Sequence, residues 1–193
     1  RLQRESAQKP LAVHLEDFVA DLRALGRSPE YVSHIASRVR LQLKECGWVH
    51  TSDVSADRYT AWRASQKDLG PKTINEYLNA FSAMLNWMER QGRIAGNPLT
   101  RIVKVDVRGH QQKRRAFTDE ELERLVEVSP KRRLVYLTAA FTGLRIGELR
   151  QLIWADVKLD CEHPQLLVRA ATTKNRNEAV IPLHPKLVEE FLS

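Results

Sequence analysis

The sequence predicts a mainly helical protein in two mildly basic parts, with a short β-hairpin confined to the C-terminal quarter. Three observations carry this. Apolar residues recur at three- and four-residue steps through most of the first hundred positions, the spacing of amphipathic helices. Asn97-Pro98 and an arginine-rich stretch, 101–116, then interrupt the pattern. Short β-type runs occur only beyond Asp156.

Residues ~10–26 read as a first helix, with Leu15, Phe18, Val19, Leu22 and Leu25 on one face and Gly26 as its stop. Ser28 is a good N-cap and Pro29 suits the first helical position. From there Val32, Ile35, Val39, Leu43 and Cys46 recur at helical spacing until Gly47. The flank of this second helix carries another stripe, Ser33, Ser37, Arg40 and Lys44, polar and basic. Such a face suits a phosphate backbone, although charge runs on helices are most often only solvated. A shorter helix around 56–68 places Tyr59 and Trp62 one turn apart, as core residues. Gly70-Pro71 breaks the chain. Lys72 or Thr73 opens a strongly periodic helix to about Gln91, with Ile74, Leu78, Phe81, Leu85 and Met88 in a narrow stripe. Four helices with short connections make a small bundle. On the far side of the last helix, Asn75, Asn79 and Asn86 could meet bases or phosphates, or simply be solvated. The following stretch holds Arg108, Lys113, Arg114 and Arg115 and reads as a basic linker able to lie along a duplex, though solubility alone also makes loops basic.

The second part opens on Thr118-Asp-Glu-Glu121, a capping box. Leu134 to Phe141 is apolar almost all round, which predicts a buried helix. Gly143 permits a turn, and Ile146, Leu149, Leu152 and Ile153 anchor the helix expected after it. Leu166 to Ala170 and Ala179 to Leu183 pair as a hairpin with Lys174 near its turn, and Pro185 starts a last helix. Within Ala139–Leu149 an apolar run is interrupted by Arg145 and Glu148. A cation there needs a partner. Glu148, three residues on, lies on the same helical face and can orient the guanidinium, whose fork matches phosphate oxygens. Two readings stand at this point: a phosphate clamp, or a buried ion pair that only holds helices in register.

Composition narrows the partner. The chain has 193 residues with 31 Lys+Arg against 24 Asp+Glu, a net charge of +7, which favours nucleic acid over an acidic membrane surface. The excess is shared, 14 basic against 11 acidic in residues 1–100 and 17 against 13 in 101–193, so neither half is a disordered basic tail. Cys46 and Cys161 lack disulfide or zinc spacing, and no apolar run approaches the ~20 residues that span a bilayer, so a soluble protein of the reducing cytoplasm is expected. The chain starts at Arg1 without methionine and stops at Ser193 inside an apparent helix, as expected of a fragment.

The order of parts resembles the tyrosine recombinase (phage integrase) family over nearly the whole chain. Residues 1–100 look like its helical core-binding domain, including Lys72-Thr73-Ile74-Asn75 and the closing Asn97-Pro98, 101–116 like its interdomain linker, and 117–193 like the front of its catalytic domain. Thr142-Gly-Leu-Arg-Ile-Gly-Glu-Leu149 is similar to the family's first catalytic-arginine box; Thr173-Lys-Asn175 with Val180-Ile-Pro-Leu183 is similar to its hairpin lysine segment. The resemblance implies site-specific recombination through a phosphotyrosine intermediate, without metal or nucleotide cofactor. Arg145 would grip the scissile phosphate, with Glu148 supporting it. Lys174 would act as general acid toward the departing 5′ oxygen, for which its pKa must be tuned; the competing reading is a solvated turn lysine. The partner implied is double-stranded DNA, contacted by residues including Lys72, Thr73, Asn75 and Asn79. A homotetramer forms on DNA in this family, and a monomer is expected for this chain alone.

The departures are large. The family's later His-x-x-Arg is absent, and Tyr31, Tyr59, Tyr77 and Tyr136 all precede the arginine box as helix residues, so none is cast as nucleophile. The expectation is a recombinase fragment that binds DNA without cleaving it. A non-catalytic DNA-binding protein is the alternative, and a helical protein-interaction module, which leaves Arg145 and Lys174 without a purpose, ranks last.

Overall fold

The computed structural model describes residues 2–109, 115–172 and 177–193, and the chain divides into two compact units, 1–113 and 114–193. Lys113, Arg114 and Lys174 lie outside the described residues.

The first unit is built on α2 (Leu11–Ala24), α3 (Pro29–Glu45), α4 (Ala56–Ser65) and α5 (Pro71–Arg90), with a short α1 (Leu2–Ala7) before them. The sequence pattern misses α1 because six residues offer too few turns for a period to emerge. Local chemistry sets the helix starts. Ser28 Oγ accepts from the Tyr31 amide at 3.3 Å and Ser55 Oγ from the Arg58 amide at 3.2 Å. Helix α5 begins at Pro71 itself, one or two residues earlier than expected, since a proline in the first turn forfeits no helical hydrogen bond. Leu25 is the other correction. It was expected inward, but it sits at the end of α2 beside the left-handed Gly26 (φ 68°) and turns to solvent.

Helices α2, α3 and α5 pack on one another, and α5 supplies the centre of the core. Phe81, Met84, Leu85 and Met88 are fully enclosed; the Phe81 ring meets Trp48 at 4.9 Å and Trp87 meets Phe18 at 5.4 Å. Tyr59 and Trp62 are buried as expected. Beyond α5 the chain stays attached to this unit as far as Val105. The Asn75 amide donates to the Val105 carbonyl and accepts from its N–H, both at 2.8 Å, and Arg63 donates to the Val103 carbonyl.

The second unit holds α6 (Asp119–Glu127), α7 (Arg133–Thr142), α8 (Ile146–Leu149), a 3-10 turn at Trp154–Asp156, strands β1 (Val157–Lys158), β2 (Gln165–Val168) and β3 (Ala179–Pro182), and α9 (Pro185–Leu192). The capping box is formed: Thr118 Oγ accepts from the Glu121 amide, and Glu121 accepts from the Thr118 amide. The sheet is antiparallel in the order β1-β2-β3, with Val157 opposite Leu166 and Leu166 opposite Ile181. Sequence foresaw β2 and β3 alone, because a two-residue strand has no alternation to read. Val126, Leu137, Leu166, Leu183 and Leu187 form the core.

Two expectations fail here. Helix α7 is not enclosed all round: among its described residues only Leu137 and Thr138 are buried, and Val135 faces solvent. The helix after Gly143 is a single turn, and of its four expected anchors Ile146 and Ile153 are exposed. An apolar run reports that a surface avoids water but not what covers it.

Candidate phosphate-binding site

Gly143 closes α7 in the left-handed conformation (φ 66°), where a side chain would be strained, and so reverses the chain at the end of that helix. Two residues later Arg145 is in extended backbone (ψ 151°) at the start of α8. Its side chain therefore leaves the apolar layer instead of entering it, and is 66% exposed. Glu148 is the reverse, 7% exposed. One Glu148 oxygen accepts from the Arg145 amide at 2.8 Å and the other from Nη1 at 3.0 Å. These bonds, the amide first, hold the Glu148 carboxyl below the ordinary glutamate range, so it is anionic at neutral pH. Among the described residues Nε and Nη2 of Arg145 make no hydrogen bond. One edge of the guanidinium is anchored and the other is presented outward.

Arg145 lines a pocket of about 250 Å³. Thr142 to Arg145 and Glu148 form one wall; Val168 from the end of β2 and Asn177 to Ala179 at the start of β3 form the other. The residues flanking the Lys174 segment on its C-terminal side thus share a pocket with Arg145. Sequence reasoning did not single out Val168, Glu178 or Ala179, which carry no signal of their own. A larger cleft of about 600 Å³ runs along α6, α7 and α9, but Asp119, Glu123, Glu127 and Glu189 give it an acidic rim that repels a phosphate backbone.

The other candidate residues are scattered over several elements. Ser33, Ser37, Arg40 and Lys44 are all exposed along one face of α3. Ser37 donates to the Ser33 carbonyl, and Arg40 pairs with Glu16 at 2.8 Å. Lys72, Thr73 and Asn79 occupy the first half of α5, Lys72 and Asn79 being exposed. Asn75 is committed to Val105, and Asn86 accepts from Asn97 at 2.7 Å, structural roles that no single-sequence pattern distinguishes from base reading. Arg108 pairs with Asp106, and Arg115 bonds both oxygens of Glu121 at 2.6 Å. The four tyrosines lie in α3, α4, α5 and α7.

No protein-family profile matches the chain. Over 111 residues it is 32% identical to a protein named tyrosine recombinase XerC-like from Caldanaerobacter subterraneus subsp. tengcongensis, an alignment covering 54% of this chain and 28% of that one. A lambda integrase solved as a tetramer bound to a Holliday junction matches 94% of this chain with a TM-score of 0.75 at 18% identity. The chain is thus similar to tyrosine recombinases (integrases), in sequence over 111 residues and in fold over nearly its whole length. The Tn1549 transposon integrase, solved in complex with a circular intermediate DNA, shares the fold over 96% of the chain with a TM-score of 0.67 at 17% identity. The chain spans 54% of the lambda integrase chain and 64% of the Tn1549 integrase chain, and little more than a quarter of the XerC-like relative. The architecture is the expected one, shared with these integrase structures: mainly helical, a bundle first, then helices around a small antiparallel sheet.

Proposed function

We propose that this chain is the DNA-gripping front part of a site-specific recombinase, serving a mobile element inside the cell, whose complete form cuts and rejoins duplex DNA through a phosphotyrosine intermediate. The observation that carries the reading is the half-anchored Arg145. Glu148 holds one edge of the guanidinium from a buried position while the rest faces a pocket, the geometry suited to a scissile phosphate whose oxygens gain charge during in-line displacement. An ordinary buried ion pair would enclose both partners. Residues 1–100, read as a core-binding domain, supply sequence-independent grip from Ser33, Ser37, Arg40 and Lys44 on α3 and from Lys72, Thr73 and Asn79 on α5. The basic residues of 101–116 extend that grip between the two domains. Lys174 is assigned the role of general acid. The lambda and Tn1549 integrases were solved on DNA, which supports duplex DNA as the partner and assembly of the complete protein on it.

Among the described residues none of the four tyrosines lines the Arg145 pocket, which supports assigning the 193-residue chain binding without cleavage; a monomeric state off DNA is proposed with it. Two measurements test this. Duplex affinity of the chain should fall by about 10³ or more between 50 and 200 mM salt, as when six or more phosphates are contacted; salt-independent binding refutes the grip. In the longer protein that supplies a His-x-x-Arg and a tyrosine nucleophile, Arg145→Ala should lower strand cleavage by about 100-fold or more while leaving duplex affinity nearly unchanged. Unchanged cleavage removes Arg145 from the chemistry and leaves a DNA-binding protein.

A further inference from the structure

The Arg145 pocket has two walls from separate parts of the chain, and its shape depends on what ties them. One wall belongs to the α7–α8 turn and the other to the ends of β2 and β3. Arg169, the residue directly after β2, reaches back across this division. Its Nη2 donates to the Gln151 carbonyl, and its Nε lies 3.1 Å from Asp156 Oδ1, an ionic contact without aligned hydrogen-bond geometry. Both acceptors sit on the segment that leaves α8.

Each acceptor is itself fixed. Asp156 is almost fully enclosed, and its second oxygen accepts from the Ile153 amide at 3.1 Å, so the carboxylate cannot swing to solvent. Gln151 closes α8: its amide donates to the Glu148 carbonyl at 3.1 Å and its side chain donates to the Gly147 carbonyl at 3.0 Å. A continuous path therefore runs from Arg169 through Gln151 to Glu148, and from Glu148 to Arg145. A buried carboxylate such as Asp156 is costly to leave without its cation, so this bridge resists opening. Arginine suits the position because its planar fork reaches two acceptors in different directions, which a lysine ammonium on a flexible stem does less well.

We infer that Arg169, braced by Asp156, is a positioning residue that sets the spacing between the two walls of the Arg145 pocket, and so the aim of the Arg145 guanidinium at a DNA phosphate. The inference rests on the phosphate-site reading above. It places the bracket one residue from the 3-10 turn Ala170–Thr172, through which the chain leaves β2.

The test is a titration of the 193-residue chain with a short DNA duplex, following the Arg145 Nε–Hε resonance. In the native chain the resonance shifts saturably. In Arg169→Gln the shift at saturation falls at least two-fold while the duplex Kd changes less than two-fold, and Arg169→Lys recovers part of it. An unaltered shift in Arg169→Gln overturns the inference. So does a drop of about one in the salt slope of binding, which marks Arg169 as a direct phosphate contact. Absence of any Arg145 shift in the native chain defeats the phosphate site itself. Should Arg169→Gln fail to fold, Asp156→Asn at unchanged volume must reproduce the loss of shift; if both variants unfold, the bracket is a fold element and the positioning role is refuted.

Discussion

The two units bury their apolar residues very differently. Among the described residues the first packs 21 buried hydrophobic side chains into one cluster around α5, whereas the cluster of the second holds five and Val135, Ile146, Ile153 and Trp154 stay in water. In sequence α5 carries a narrow apolar stripe and α7 is apolar almost all round, and both patterns promise burial. What separates them is closure. Helix α5 is covered by α2 and α3, so its stripe becomes a core, whereas α7 packs against α6, α8 and α9 and still leaves Val135 exposed. The half-covered unit is also the one that presents Arg145, and the phosphate-binding role proposed for that arginine requires an open face.

The largest effect expected from this contrast is in the bundle. Phe81→Ala empties the middle of the first core and should cost about 3–5 kcal/mol in urea unfolding followed by tryptophan fluorescence, since Trp48, Trp62 and Trp87 all report on that unit. A loss below about 1 kcal/mol would show that the two cores are equally loose. Next comes a stabilising change. Gln42 is fully buried with neither amide atom hydrogen-bonded among the described residues, so Gln42→Met should raise stability by about 1–2 kcal/mol in the same measurement. Smaller, in the second unit, is Thr118→Ala, which removes the α6 cap and should cost about 1 kcal/mol, read from loss of helical circular dichroism. The smallest effect belongs to the open face. Trp154→Ser should change unfolding free energy by less than about 0.5 kcal/mol because Trp154 is 69% exposed; a large loss would mean the face is covered in solution.

A pH dependence separates the units further. His14 is fully enclosed in the bundle, with Nε2 3.0 Å from the Ser6 carbonyl and Nδ1 3.0 Å from Arg93 Nη1. An arginine only donates, so Nδ1 accepts and the proton sits on Nε2. Burial, opposed by the Ser6 carbonyl, pushes the His14 pKa below the ordinary histidine value. A histidine depressed in the folded state stabilises it above the unfolded pKa of about 6.5, and that contribution is lost as pH falls toward the folded value. Melting of the first unit should therefore drop between pH 7 and 5. His14→Gln should flatten that window, and an unchanged profile would show that folding leaves the His14 pKa where it is in the unfolded chain.

Much of this was legible in the residues. The caps at Ser28 and Thr118, the turn at Gly143 and the stripe of α5 are local events within one or two turns, so spacing alone determines them. The Thr142–Leu149 and Lys174 segments likewise carried the family resemblance before any geometry. Other features needed partners distant in sequence. Leu25 has an inward-facing register, yet its exposure follows from where the chain turns. Asn75 looks like any helix-face asparagine until Val105 comes within 2.8 Å of it. Whether Arg145 was a clamp or an enclosed ion pair was undecidable from its neighbours, because both readings place Glu148 three residues away.

By itself, then, the sequence determined most of the helices, their caps, the basic balance and the residues proposed to hold a phosphate, all of which depend on short-range periodicity and side-chain chemistry. Tertiary structure alone decided which surfaces close and which stay open. It turned Arg145 outward while burying Glu148, and brought Arg169 back to Gln151 and Asp156. Burial and long-range pairing are properties of contacts between distant segments, and no local pattern encodes them.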